Sequence, residues 1–265
     1  MSMLLNAVKS LIPKSFLDLP LQKVATYAFV TTARSHRLGT SMTILDDRIF
    51  QSGEHRPIRS LGEVEKLTIR EILPWTDSCH PIERSIGMAA LNSCVPLDYK
   101  WYATGNALDL TARLGKGKNV VVVGHFPDME RIRETARSFK ILEKRPQPGD
   151  LPAEDAPRVI PEADVVAMTG VTCLNDTLEG LLALKKPGSI FIVLGPTVPL
   201  STALFDAGVD VIGGAWVEDE DRVISMLAQG GTARVIDGMR CVLMPKNPAL
   251  VSGFPLVSPP IAAAT

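Results

Sequence analysis

The sequence predicts an α/β protein in which a smaller α+β domain precedes a larger domain built on a parallel sheet. From Asn119 onwards, short runs of Val, Ile and Leu alternate with segments of helical length. Continuous apolar strands of this kind are typical of a parallel sheet that helices cover on both faces. Before Cys94, two predicted strands follow a short first helix and the other predicted helices follow them, which is the order of an α+β domain.

Length and composition indicate a globular protein that acts on a small molecule. The 265 residues are enough for one large domain or two ordinary ones, and the 46% hydrophobic content supplies a substantial core. The formal charge is −1 and no basic block occurs, so we expect neither nucleic acid nor a membrane surface as a partner. The cysteines are scattered and no apolar run is long enough to span a membrane, so we expect free thiols and a cytoplasmic location. A homo-oligomer stays compatible with these properties.

The first part of the chain predicts helices around a β-hairpin. Apolar spacing indicates an amphipathic helix that Pro13 interrupts, and runs of β-branched and aromatic residues indicate two strands. His80 lies between Cys79 and a proline, a pattern that predicts a helix start rather than a metal site. The predicted helices span 4–17, 69–75 and 80–94, the hairpin strands span 24–32 and 39–45, and a loop spans 46–60.

The second part alternates strands with helices, and this alternation predicts a Rossmann-like domain. We place the smaller domain at 1–98, the Rossmann-like domain at 99–251 and a loosely ordered tail at 252–265, because the tail has no periodicity. The predicted strands span 119–124, 140–144, 164–170, 189–195, 209–214 and 241–245, and the predicted helices span 107–114, 129–138, 177–186, 201–207 and 219–228.

Two polar turns after predicted strands are the first candidates for a ligand site. Open α/β sheets bind ligands at the carboxyl ends of their strands, and both turns lie at such ends. Hydroxyl and amide groups there would suit phosphate, carboxylate or sugar groups, with helix N-termini as anion sites. Each residue could instead cap a helix, with Asn175 or Thr177 as the N-cap. The candidate residues are Thr169, Gly170, Thr172, Asn175, Gly195, Pro196 and Thr197.

The turn after the first parallel strand contains Gly124, His125 and Pro127. A dinucleotide fingerprint needs G-x-G-x-x-G, so a conventional NAD dehydrogenase is disfavoured. Glu143 follows Gly124 by nineteen positions, where an acidic residue of a Rossmann unit binds a ribose hydroxyl. It could instead be a solvated strand end paired with one of the two basic residues after it. His125 could be a metal ligand, an acid/base group or a hydrogen-bonding spacer.

Six motifs of the second part, taken together and in order, resemble the putative heavy-metal chelatase family of bacteria and archaea, a domain of unknown function. The motifs are V-G-H-F-P at 123–127, E-x-x-P-x-P-G-D at 143–150, I-P-E-A-D at 160–164, T-G-x-T-x-x-N-x-T at 169–177, G-P-T-x-P at 195–199 and G-V-D-x-x-x-G at 208–214. The family often has Ser where this chain has Thr197, a change that keeps the hydroxyl.

The first part also resembles the domain that precedes this one in the same family. The hairpin around Gly39 and the run I-G-M-A-A-L-N-S at 86–93 are similar to that domain, which is like the amino-terminal domain of enolase. The resemblance implies an enolase N-terminal-like domain packed on a Rossmann-like domain, with the ligand site in the cleft between them. It implies no proven reaction.

Metal chemistry would need ligands from distant parts of the chain, because no local cluster of His, Cys or carboxylate residues has suitable spacing. The residues that would have to be gathered are His36, His125, Glu143, Glu162 and Cys173. A thiol at a helix start could also be a nucleophile, but no base is identifiable beside Cys173, and a structural thiol is the simpler interpretation.

We therefore predict heavy-metal chelation, or the handling of a metal-binding small molecule, in an interdomain cleft. A transition metal ion is the predicted cofactor, with His125 and Cys173 as its candidate ligands. One alternative is the binding, or group transfer, of a nucleotide-like ligand that contains ribose. A second alternative is a non-catalytic binding module. The sequence does not decide whether the protein is an enzyme.

Overall fold

A computed structural model describes residues 2–44, 57–233 and 235–259. Within these residues the helices are α1 (Met3–Ser10), α2 (Lys14–Leu17), α3 (Ile69–Ile72), α4 (Pro81–Cys94), α5 (Ala107–Gly115), α6 (Glu130–Thr135), α7 (Ala156–Val159), α8 (Val171–Leu174), α9 (Leu178–Leu182), α10 (Ala203–Asp206) and α11 (Glu220–Ala228). Short 3-10 helices span Val64–Lys66, Leu73–Asp77, Ala153–Asp155, Ile160–Glu162 and Pro248–Val251. No helix of the described ranges is both long and apolar enough to cross a lipid bilayer.

The strands form a small antiparallel sheet and a large mixed sheet. They are β1 (Lys23–Thr26), β2 (Val30–Arg34), β3 (Leu38–Met42), β4 (Tyr102–Thr104), β5 (Asn119–Val123), β6 (Ser138–Glu143), β7 (Leu151–Pro152), β8 (Val165–Thr169), β9 (Ile190–Leu194), β10 (Val211–Val217), β11 (Met239–Pro245) and β12 (Leu256–Val257). The small sheet has the order β1-β2-β3, and the large sheet has the order β12-β4-β11-β10-β9-β8-β5-β6-β7.

The large sheet confirms the predicted α/β fold with a Rossmann-like parallel sheet. The strands from β10 to β7 are parallel, whereas β11, β4 and β12 join one edge in antiparallel fashion. The chain runs outward from β5 through β6 to β7 and then returns to β8 on the other side of β5. The carboxyl ends of β5 and β8 therefore flank a topological switch point, where α/β proteins of this kind bind ligands.

Side chains of successive strand residues pack on opposite faces of the large sheet. Val121 belongs to the apolar cluster that includes residues of α1 and α4. Its neighbours Val120 and Val122 belong to a second cluster, on the side of α5. Burial on both faces explains why these strands read as continuous apolar runs in the sequence.

The prediction of a two-stranded β-hairpin is wrong, because this region forms three strands. Residues 24–32 do not form one strand but divide into β1 and β2, and β3 pairs with the far side of β2. The Tyr27 N–H donates to Val30 O at 3.0 Å and closes the turn between β1 and β2. No Gly or Pro marks this turn, and the aromatic residues in it have high strand propensity, so the pattern favours one strand. The predicted loop at 46–60 falls largely outside the described residues.

Most other helix boundaries lie close to those the sequence predicts, but the helix expected over 177–186 spans only Leu178–Leu182. The helix break at Pro13 and the helix start at His80 are confirmed. The helix expected over 129–138 ends at Thr135, because Ser138 already pairs with Asn119 in the sheet.

Part of the segment that was predicted to be a loosely ordered tail forms a strand. Leu256 and Val257 form β12, which pairs with Ala103 and Tyr102 of β4. The Thr104 N–H also donates to Pro255 O at 2.8 Å, so this part of the tail extends the sheet. Residues 260–265 lie outside the described part of the chain. The boundary between the two domains stays a prediction.

Candidate functional site

A cavity of about 910 Å³ lies at the carboxyl ends of β5, β6, β8 and β9. All eleven residues that the sequence proposed for ligand binding line it, and whether they bind a ligand stays a prediction. They are Gly124, His125, Pro127, Glu143, Thr169, Gly170, Thr172, Asn175, Gly195, Pro196 and Thr197. Apolar side chains complete the wall, among them Phe29 and Met42 of the first part of the chain and Phe126, Leu142, Leu181, Leu194, Ile236 and Met239 of the second.

Two glycines let the turns after β5, β8 and β9 approach one another. Gly124 has φ +96°, and a Cβ atom there would lie 2.9 Å from Thr169 Cγ2. A Cβ atom at Gly170 would lie 2.5 Å from Val198 Cγ2. Both separations are shorter than side chains tolerate, so the polar backbone of these turns can meet only because glycine stands at both positions.

Several hydroxyl and amide groups of the polar turns are used within the turns themselves. The Thr172 hydroxyl is buried and donates to Thr169 O at 2.7 Å. Asn175 Oδ1 accepts from the hydroxyl of Thr177 at 2.5 Å and from its N–H at 3.3 Å. The helices after these turns, α8 and α9, have four and five residues, which is too short for the anion sites expected at their N-termini. Asn175 Nδ2 donates to no other described residue, so it can serve a ligand.

The turn after β9 is fastened to the small sheet. Thr40 Oγ1 donates to Pro196 O at 3.0 Å, and the Met42 N–H donates to Thr197 Oγ1 at 2.9 Å. Asn92 of α4 bridges the two, since its Nδ2 lies 2.9 Å from both Thr40 O and Thr197 O. Thr197 is fully buried, so its hydroxyl supports the wall of the cavity from behind.

His125 is paired with a carboxylate that the sequence analysis did not single out. His125 Nε2 lies 2.6 Å from Asp150 Oδ2, and the side chains are 32% and 4% exposed. Burial would raise the pKa of Asp150, but hydrogen bonds from His125 and the Gln147 N–H, with the charges of His125 and Arg133, lower it below the usual carboxyl value. Asp150 is the last residue of the motif at 143–150, and its place in that motif was the one signal of its importance in the sequence.

Glu143 lies at the end of β6 and lines the cavity. Its Oε1 accepts from the backbone N–H groups of Lys144 at 2.7 Å and Arg145 at 3.4 Å. The carboxylate therefore contacts the two basic residues through their backbone N–H groups. Its second oxygen, Oε2, accepts from no described residue and is the atom that could meet a ribose hydroxyl.

The described residues do not form a site for a bare metal ion. They contain no group of three or more His, Cys, Asp or Glu side chains close enough to hold one. His36 stacks on Phe16 at 4.1 Å between ring centroids, and Glu162 contacts Asn119 at the amino end of β5, opposite the cavity. Neither His36 nor Glu162 lies beside His125, although a metal site built from these distant residues would require it.

The thiols do not complete such a site either. Cys173 does not line the cavity, and burial raises its pKa to about 12. Cys241 does line the cavity and is exposed, and the partial burial of its thiol raises its pKa. Heavy metals bind the thiolate form, which the buried environment of Cys173 disfavours at neutral pH. A nucleophilic role for Cys173 fails on the same grounds, because the turn that opens α8 faces inward and encloses the thiol.

Comparisons with known proteins agree with this fold. The DUF364 family, described as "Putative heavy-metal chelation", matches residues 106–243, and the DUF4213 family, with the same description, matches residues 9–95. An uncharacterized protein of Methanocaldococcus jannaschii is 25% identical over 220 residues, which are 80% of this chain and 83% of that protein.

Two similar crystal structures are of proteins with unknown function from the DUF364 family. The protein from Desulfitobacterium hafniense has a TM-score of 0.75 and 25% identity, with 91% of this chain and 97% of that chain covered. The protein from Pyrococcus horikoshii has a TM-score of 0.74 and 19% identity, with 92% of this chain and 100% of that chain covered.

Proposed function

The chain belongs to the DUF364 family, and we propose that its cavity binds a small metal-chelating molecule, alone or as its metal complex. The family description supplies the link to heavy metals. In this proposal the organic molecule supplies the ligands of the metal, and the protein holds the molecule through its polar turns. Phe29 and Met42 line the cavity together with residues of the second part, so the site would lie between the two predicted domains.

One observation carries the choice of an organic molecule over a bare ion. The cavity has about 910 Å³, apolar walls and a few polar groups at the turns, which is the character of a pocket for a drug-sized molecule. A transition-metal ion needs several converging imidazole, thiolate or carboxylate ligands instead. The pocket also lies at the switch point of the sheet, the position that open α/β proteins use for organic ligands and cofactors.

Native mass spectrometry with elemental analysis of gently purified protein tests this proposal. We expect one organic molecule per chain, with or without a stoichiometric metal, and a reduced retained fraction in His125→Ala. His36→Ala is the matched control, because it removes an imidazole that does not line the cavity. Stoichiometric binding of free transition-metal ions without an organic molecule would contradict the proposal.

A nucleotide-like ligand is the second candidate, and Glu143 is the observation that favours it. The residue ends the strand beside β5, next to the turn of Gly124, where Rossmann units bind ribose. Glu143→Ala should weaken the binding of AMP, ADP or NAD at least about tenfold if this candidate is right. Glu154→Ala, an exposed carboxylate beyond β7, is the control. Equal affinity of both variants and the unsubstituted protein would exclude ribose recognition by Glu143.

A further inference from the structure

We propose that His125 and Asp150 form a proton-accepting pair, in which Asp150 is the positioning residue that keeps a proton on His125 Nε2 and leaves the Nδ1 lone pair to the cavity. The inference rests on the proposed function only for the identity of the group that Nδ1 contacts. That group would be an O–H or N–H donor of the bound molecule.

The contact between the two side chains fixes which nitrogen carries the proton. Asp150 Oδ2 lies 2.6 Å from His125 Nε2, which is the length of a short, charge-assisted hydrogen bond. An ionised carboxylate can only accept, so the ring nitrogen that faces it must donate. In the neutral imidazole the other nitrogen, Nδ1, is then the acceptor. His125 lines the cavity, and its Nδ1 has no hydrogen-bond partner among the described residues.

The turn between β6 and β7 holds the carboxylate in place independently of His125. Gln147 N–H donates to Asp150 Oδ2 at 2.8 Å, and Asp150 N–H donates to Gln147 O at 2.9 Å. Gly149 has φ +98°, and prolines 146 and 148 restrict the backbone before it. The Asp150 side chain is 4% exposed, so water competes little for its oxygens. Such second contacts hold a functional imidazole in one orientation.

The pair can take up a proton without leaving an unbalanced charge. When a donor O–H meets Nδ1, the O–H bond breaks, its electron pair stays on the ligand oxygen, and the proton bonds to Nδ1. The imidazolium that results remains hydrogen-bonded to the Asp150 carboxylate. Among the described residues, the charged groups near the pair include Arg133, whose charge acts on Asp150, and Glu143 and Lys144 on the cavity wall.

This chemistry suits a chelating ligand. Oxygen and nitrogen donors of a chelator bind a metal in their deprotonated form, so metal uptake releases protons. A proton acceptor within the cavity would hold the chelating group in the form that retains its metal. The class of molecule we infer therefore carries at least one ionisable O–H or N–H among its metal-binding groups.

Nitrogen NMR of the imidazole tests the pair in the protein without any ligand. With 15N-labelled histidine above about pH 8, where free imidazole is neutral, we expect the proton of His125 on Nε2. Asp150 Oδ2 accepts both the Gln147 N–H and His125 Nε2–H, so in Asp150→Asn the amide oxygen can take that position and the proton should stay on Nε2. The amide is neutral and accepts a weaker hydrogen bond than the carboxylate, so the Nε2–H proton resonance should move upfield. Asp18→Asn, which removes an exposed carboxylate paired with Arg70, should leave the His125 signals unchanged.

A proton on Nδ1 in the unsubstituted protein, or an unchanged Nε2–H resonance in a folded Asp150→Asn variant, would overturn the inference. The first of these results stands even if the variant fails to fold. Both measurements are made on ligand-free protein, so they are independent of whether a chelating molecule is found by mass spectrometry. The pair and the proposed function can thus fail separately.

Discussion

Gly124 faces Thr169 across the switch point of the large sheet, and a Cβ atom at Gly124 would lie 2.9 Å from Thr169 Cγ2. The two residues follow β5 and end β8, the neighbouring strands at which the chain reverses its order. Because Gly124 has no side chain, its backbone at the floor of the cavity can pack directly against the side chain of Thr169.

Gly124→Ala should destabilise the protein and disturb the turn at Thr169. The substitution combines a residue at φ +96° with a steric contact, and overpacking of this kind costs about 1–3 kcal/mol beyond the backbone strain. Gly188→Ala is the matched control, because Gly188 has φ +83° and a Cβ atom added there would meet no other atom within 4 Å. The measurement is the free energy of unfolding in urea. Equal losses for the two variants would show that the contact with Thr169 carries no cost.

Thr197→Val should break the hydrogen bond that joins the turn after β9 to β3. Valine keeps the shape but removes the acceptor of the Met42 N–H, and the loss of this part-buried hydrogen bond should cost about 1 kcal/mol. Hydrogen exchange of the Met42 amide is the direct measurement, and it should become faster. In Thr197→Ser the hydroxyl remains and the amide should stay protected. Fast exchange in both variants would mean that the methyl group, not the hydroxyl, holds the turn.

The fold and the position of the cavity could be predicted because they depend on local patterns. Strands that are buried on both faces must be apolar throughout, and runs such as 119–123 are recognisable for that reason. Parallel strands direct all their carboxyl ends to one edge, so the turns at 169–177 and 195–199 had to meet. The confirmed fold and the shared cavity follow from these two rules.

Contacts that depend on the path of a loop could not be predicted in the same way. Asp150 reaches His125 only because the turn around Gly149 folds back toward β5. The small-sheet contacts of Thr197 join residues more than 150 positions apart, as its bond to Met42 shows. The sequence favoured a structural thiol at Cys173 but left a metal ligand or a nucleophile open, and the structure places the residue in the core. No periodicity in the sequence predicts the paths of these loops or the positions of these side chains.

Cys173 should be unreactive, because burial raises its pKa to about 12 and leaves almost no thiolate at pH 8. Alkylation with iodoacetamide followed by peptide mass spectrometry should label the exposed Cys79 at least about a hundredfold faster, since the thiolate is the reacting form. Cys173→Ala should also leave the retention of metal by the purified protein unchanged. Comparable labelling of both cysteines in folded protein would contradict the buried position of Cys173.

Glu83 should make the stability of the protein depend on acid pH. Its side chain is 5% exposed, and it accepts from the Arg59 N–H at 2.8 Å, the Arg59 guanidinium at 2.7 Å and the Ser78 hydroxyl at 2.6 Å. Burial would raise the pKa of Glu83, but these hydrogen bonds and the charge of Arg59 outweigh burial and lower it. A carboxyl whose pKa is lower in the folded state stabilises the protein above its unfolded pKa of about 4.3, and this contribution is lost as the pH falls through the folded value.

Glu83→Gln should therefore cost about 1–3 kcal/mol of unfolding free energy at pH 7, and the difference from the unsubstituted protein should narrow as the pH falls below about 4. Urea unfolding at pH 7, 5, 4 and 3 measures both quantities. Glu63→Gln is the control, because Glu63 forms an exposed pair with Lys66 that should contribute less than about 1 kcal/mol. A difference for Glu83→Gln that stays constant from pH 7 to pH 3 would show that the ionised carboxylate is not what stabilises this contact.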